Sequence, residues 1–146
     1  MAAYSFVNVQ CAIDGPGGSF NLGSGAGISE EGIKISRNRE KTVQTIGADG
    51  KNMYSLIADR SGSIEVHVLK TSNVNAQLMA LYNTQQLSAA IWGINTITIA
   101  YPDGKDVSIL SEVAFKKAPD LTYAQEGGTN TWEFFAGTVD SNLGEF

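Results

Sequence analysis

Cysteine is nearly missing from this chain. Cys11 stands alone, so no internal disulfide can form and a multi-cysteine metal site is excluded. It lies in the strand-like stretch Phe6 to Ile13, where a lone thiol behaves as a small hydrophobe, and no activating motif surrounds it. Histidine is as scarce. His67 sits between Val66 and Val68, on the face shared with Glu65, without the orienting partner and nucleophile that a general base needs or the further ligands that a metal needs. No apolar run is long: Ala89 to Ile94 is far too short to cross a bilayer, and Met1-Ala-Ala-Tyr-Ser-Phe lacks a basic stretch followed by an apolar one. The expectation is synthesis in the cytosol without membrane insertion. Cations are also outnumbered, 10 Lys and Arg against 15 Asp and Glu, for a net charge of −5. Such a chain is repelled by phosphodiesters, which argues against tight nucleic-acid binding.

What is present reads as one β-rich domain over residues 1–146. The chain length suits a single core, and 42% hydrophobic with 17% charged residues is the balance of a packed globular protein. Apolar residues recur at every second position, as on one face of a strand. Ile64, Val66 and Val68 alternate with Ser63, Glu65 and His67, and Ile97, Ile99 and Tyr101 alternate with Thr96, Thr98 and Ala100. Val107, Ile109, Val113 and Phe115 share one parity, followed by Trp132, Phe134 and Ala136. Asp14-Gly15, Asp49-Gly50, Asp103-Gly104 and Gly127-Gly128 supply turn chemistry for four hairpins.

The sequence predicts one helix, capped around Thr71-Ser72-Asn73, whose stripe Val74, Leu78, Leu81 and Tyr82 closes the open face of a sheet. A second feature is a long hairpin, residues 42–58 around Asp49-Gly50, with few core residues beyond Val43, Ile46, Met53, Leu56 and Ile57. Such a hairpin either docks on another chain or lies as a plain extension on its own sheet. The stretch Ser36 to Arg60 that contains it is rich in cations: Arg37, Arg39, Lys41, Lys51 and Arg60.

Enzyme chemistry finds no footing. Glu30 and Glu31 are adjacent, so on an extended chain they point to opposite faces. The glycine run Gly23 to Gly27 has neither the spacing of a dinucleotide loop nor the lysine of a phosphate-binding loop. Lys34, Arg37, Arg39 and Lys41 have only Phe20 and Tyr54 near them in sequence, too few for a base-stacking platform. The reading is a non-enzyme without cofactor or metal. A rival reading is a small β-sandwich module that binds carbohydrate or acts as an adhesin, with Trp92 and Tyr101 or Tyr123 as an aromatic platform.

Several segments carry a family likeness: Tyr4 to Gln10, the glycine run Gly15 to Gly27, Ile46 to Gly50, Leu69 to Asn83, Ala114 to Gly128 and Trp132 to Gly137. Together they resemble a family of phage structural proteins assigned to the tail tube of long-tailed bacteriophages, with a contractile tail expected. The resemblance implies an antiparallel β-sandwich or barrel with one flanking helix. Six copies would form a ring whose inner strands merge into one barrel, and rings would stack into a conduit for DNA, which passes without specific binding. Sheath, baseplate and tail terminator proteins are the implied partners, and the virion tail is the implied location. The secreted tube of type VI systems shares that fold. Within this picture the expected contacts between rings and subunits are Thr42, Val43, Ile46, Asp49, Gly50, Met53 and Leu56 of the hairpin, with Arg37, Arg39 and Lys41. Glu65, Thr96 and Thr98 are expected to line the lumen.

Overall fold

The computed structural model describes residues 3–23, 25–102 and 105–144, with backbone only for residues 29–31. Among them are nine strands, β1 (Gln10–Gly15), β2 (Gly18–Asn21), β3 (Ile28–Arg37), β4 (Thr42–Ile46), β5 (Asn52–Leu56), β6 (Gly62–Leu69), β7 (Asn95–Tyr101), β8 (Asp106–Lys117) and β9 (Thr129–Asn142), and one α-helix, α1 (Val74–Gln85). Seven strands form one antiparallel sheet in the order β2-β1-β7-β8-β9-β6-β3, and β4 pairs only with β5. The outermost strands, β2 and β3, are consecutive in the chain. The link 22–27 can stretch over about 25 Å at most, whereas a flat sheet of this width spans about 29 Å between its outer strands, so the sheet curls into an open barrel. The link is also pinned to β1: a Cβ at Gly23 would lie 2.7 Å from the Cys11 nitrogen and 2.9 Å from the Val9 oxygen, and Leu22 N–H donates to the Cys11 carbonyl at 2.8 Å.

The concave face holds the core. Ile64, Val66 and Val68, then Trp132, Phe134 and Ala136, are all buried, and register pairs Val66 with Trp132 and Ile64 with Phe134. Helix α1 covers one end of this face through Val74, Leu78 and Leu81, while Tyr82 packs edge-on against Phe115 at 5.4 Å and Trp92 at 6.0 Å. The stripe is the expected one, and within the expected capping segment Ser72, not Asn73, supplies the cap. Asn73 already has helical angles (φ −65°, ψ −20°) and its side chain caps nothing. Ser72 Oγ instead accepts from Val74 N–H at 3.2 Å. Asn75 ties the entry together, donating to the Leu69 carbonyl at 2.9 Å and accepting from Trp132 Nε1 at 3.1 Å.

Gln85, at the end of the helix, turns inward although nothing in the sequence marks it as a core residue. It and Asn95 are fully buried and exchange two hydrogen bonds, 2.6 Å and 2.8 Å. Gln85 also donates to the Pro16 carbonyl at 3.1 Å and Asn95 to that of Val113 at 3.0 Å, which offsets the cost of burying the two amides. The pair fills the space beside Gly15, where a Cβ would fall 1.7 Å from Asn95 Oδ1.

Strand parity along β8 departs from the sequence reading. Val107 and Ile109 are exposed, Leu110 is buried, and Val113 and Phe115 are buried beyond it. The cause is a bulge: β8 slips against β7 between Leu110 and Val113, and Glu112 takes a φ of 54°. An inserted residue moves the remainder of the strand to the other face. Turns depart as well. The tip after β1 is Pro16-Gly17, with Asp14-Gly15 still inside the strand. Gly127-Gly128 closes the long link 118–128 instead of a tight hairpin. Asp103-Gly104 lies outside the described residues.

Candidate functional site

The hairpin β4–β5 extends from the body as a two-stranded sheet of its own. Every residue of β4 is exposed, as is every residue of β5 except Ser55. Its tip is the expected turn: Gly50 has a φ of 85° and donates to the Gly47 carbonyl at 2.9 Å, and Asp49 Oδ1 accepts from Lys51 N–H at 3.2 Å. Register pairs Thr42 with Leu56, Gln44 with Tyr54 and Ile46 with Asn52. Side chains of cross-strand partners share a face, so Ile46, Tyr54 and Leu56 form an apolar row on one side while Val43 and Met53 lie on the other. Ile46 is 63% exposed, Tyr54 66% and Leu56 79%. Tyr54 is absent from the residues that sequence reasoning selects, although the alternation Asn52-Tyr54-Leu56 contains it.

Arg37, Arg39 and Lys41 meet at the root of this hairpin, around a recess shared with Asp59, Arg60 and Asp140. Arg37 donates to the Val139 carbonyl at 2.9 Å, and Arg60 is ion-paired with Asp140. The Asp59 carboxyl is held below its usual range, first by the Ser61 hydroxyl and backbone N–H and then by the nearby Arg39 and Lys41 charges.

Glu65, Thr96 and Thr98 share the convex face of the large sheet, away from α1, but do not form one row. Thr98 pairs with Ala12 and Ile109, whereas Glu65 pairs with Lys34 on one side and Glu133 on the other. His67 lies beside Glu65, its Nδ1 3.2 Å from Thr131 Oγ1 and its Nε2 3.8 Å from the Glu65 carboxylate. Among the described residues no three His, Cys, Asp or Glu side chains gather to hold a metal, and no helix is long and apolar enough to cross a membrane.

Burial pushes the Cys11 thiol up to about 12. A maleimide at neutral pH will therefore leave the folded chain unlabelled and modify it fully in denaturant, as mass spectrometry will show. The aromatic platform of the rival reading does not assemble: Trp92 is half-buried in the cluster with Tyr82 and Phe115, and Tyr101 is 5% exposed. Tyr123 is exposed, with Lys70 Nζ 3.9 Å above its ring.

A family model described as bacteriophage PhiTE tail tube protein matches residues 1–144. The chain belongs to this phage tail tube family. Its members are structural proteins of the virion tail, and this chain is a tail tube subunit. No curated protein matches it. Chains with the same fold occur in several solved structures, among them these three. One is in the 6-fold symmetrised baseplate of the anti-feeding prophage, at 14% identity and a TM-score of 0.60 over 97% of the tube subunit and 96% of that chain. Another is in the tube-terminating cap of the same particle, at 12% identity and a TM-score of 0.56, covering 98% and 93%. The third is in the sheath/tube terminator of an extracellular contractile injection system in its extended state, at 13% identity and a TM-score of 0.55, covering 97% and 98%.

Proposed function

We propose that copies of this tail tube subunit close into rings of six, that the rings stack into a hollow tube, and that DNA leaves through its bore. The observation that carries this reading is the hairpin, folded and apolar on both faces yet without cover from its own chain. The exposed borders β2 and β3 add a second demand for neighbours, because an unpaired sheet edge is a liability in an isolated molecule and a bond in a closed assembly. On this reading Thr42, Val43, Ile46, Asp49, Gly50, Met53 and Leu56 touch adjoining copies, and Arg37, Arg39 and Lys41 bind acidic surface at the hairpin root. Glu65, Thr96 and Thr98 face the bore.

Charge favours free passage. Each lysine or arginine on a phosphate adds to the grip on DNA, so a conduit works best with few of them inside. Six chains of −5 bring about −30 to a ring, a wall that repels its cargo. The sheath, baseplate and terminator, parts of the assemblies in which chains of the same fold are found, are the partners expected outside and at the ends. Synthesis in the host cytoplasm completes the picture.

Negative-stain electron microscopy of the concentrated protein tests the assembly, with rods of constant bore as the expected result. A monomer at every concentration overturns it. Tubes of Glu65→Lys/Thr98→Lys chains should retain added DNA at low salt and release it at high salt. Equal passage through both tubes removes these residues from the bore.

A further inference from the structure

The large sheet ends at β3, and an apolar cleft of about 620 Å³ opens beside that strand. Ile33 and Ile35 of β3 and Ile99 and Tyr101 of β7 line it together with the N-terminal Tyr4 and Phe6, and Asp106 adds a carboxylate. The register of β3 with β6 is unbroken from Ile33 to Arg37, after an irregularity between Ile28 and Ile33. That clean stretch is as long as β5, Asn52–Leu56. A strand that joins an exposed edge gains main-chain hydrogen bonds and sends alternate side chains into the pockets beside it. Tyr54 and Leu56 alternate in that way along β5, exposed and on one face.

We infer that the β4–β5 hairpin of one copy lies along β3 of a second copy, with Tyr54 and Leu56 seated in the cleft between β3 and β7. This rests on the reading that copies assemble through the hairpin and adds the surface that receives it. Charge points to the same occupant. Residues 37–51 carry four cations and two acids, while the rest of the chain carries six cations and thirteen acids, so the hairpin and its root are drawn to the acidic remainder of a second copy as a whole, and Asp106 stands at the cleft itself. Donor and acceptor are different regions of one chain. Each copy can give and receive at once, which extends into rings or filaments instead of stopping at a pair.

Photo-crosslinking of the full chain decides. Tyr54→p-benzoylphenylalanine keeps an exposed aromatic ring, and mixing isotopically heavy and light chains marks links between copies. The expected product joins residue 54 of one copy to β3 or β7 of another, about tenfold more abundant than from the same probe at Met53 on the opposite face. Tubes whose probes link elsewhere, or link equally from both faces, overturn the inference and leave hairpin-driven assembly standing. Should the probe at Tyr54 block tube growth, the same probe at Leu56 carries the test. If the unmodified chain makes no rods, the assembly reading itself falls.

Discussion

Aspartate at Ile46 and Leu56 will leave a folded chain that forms no tubes. Both side chains are mostly exposed in the single molecule, 63% and 79%, so replacing them removes little from its core, and surface changes of this kind usually move stability by about 0.5 kcal/mol or less. Assembly is another matter. Covering a leucine or isoleucine contributes about 1.5–3 kcal/mol, and an aspartate forced into the same contact adds a desolvation cost. Losing both residues removes about 3–6 kcal/mol from each contact, a fall in association constant of roughly two to four orders of magnitude. Sedimentation velocity should show only monomer while circular dichroism and the melting temperature stay near those of the parent. Normal tubes from the double variant would take the hairpin out of assembly.

Trp132→Ala should cost about 3–5 kcal/mol of folding stability, a large share of the roughly 5–15 kcal/mol that a domain of this kind possesses. Trp132 is 1% exposed and its ring meets Phe115 edge-on at 6.0 Å. Its Nε1 donates to Asn75 Oδ1, the same side chain whose amide group holds the carbonyls of Leu69 and Lys70 at the entry of α1. The substitution thus opens a cavity and loosens the helix start together. Trp132→Phe keeps most of the volume and loses the hydrogen bond with a small part of the packing, so chemical denaturation should place it between the two, within about 1–2 kcal/mol of the parent. Equal losses from both variants would mean that packing contributes little at this position.

The architecture was legible wherever local alternation and the final environment agreed. β6 and the first half of β9 show period two because both bury one face against the same core, and α1 shows its stripe for the same reason. The reading failed at β8, where the bulge at Glu112 reverses parity: no local pattern announces an inserted residue, whose position is set by pairing with β7. Gln85 and Asn95 were invisible because each is an ordinary polar residue until the fold brings them within 2.6 Å. The hairpin was visible through its turn and its thin apolar content. Its two-faced character needed register, which separates Ile46, Tyr54 and Leu56 from Val43 and Met53. Arg37, Arg39 and Lys41 could be named from sequence. Their acidic company, Asp59 and Asp140, comes partly from a strand a hundred residues away.

The short link 22–27, held against β1 by the close approach at Gly23, joins the sheet's two borders covalently. An arriving molecule therefore meets borders whose spacing and tilt were decided during folding, without any template. In a closed assembly built on those borders, curvature is inherited from the individual polypeptide, so a longer link would change how many copies complete the circle.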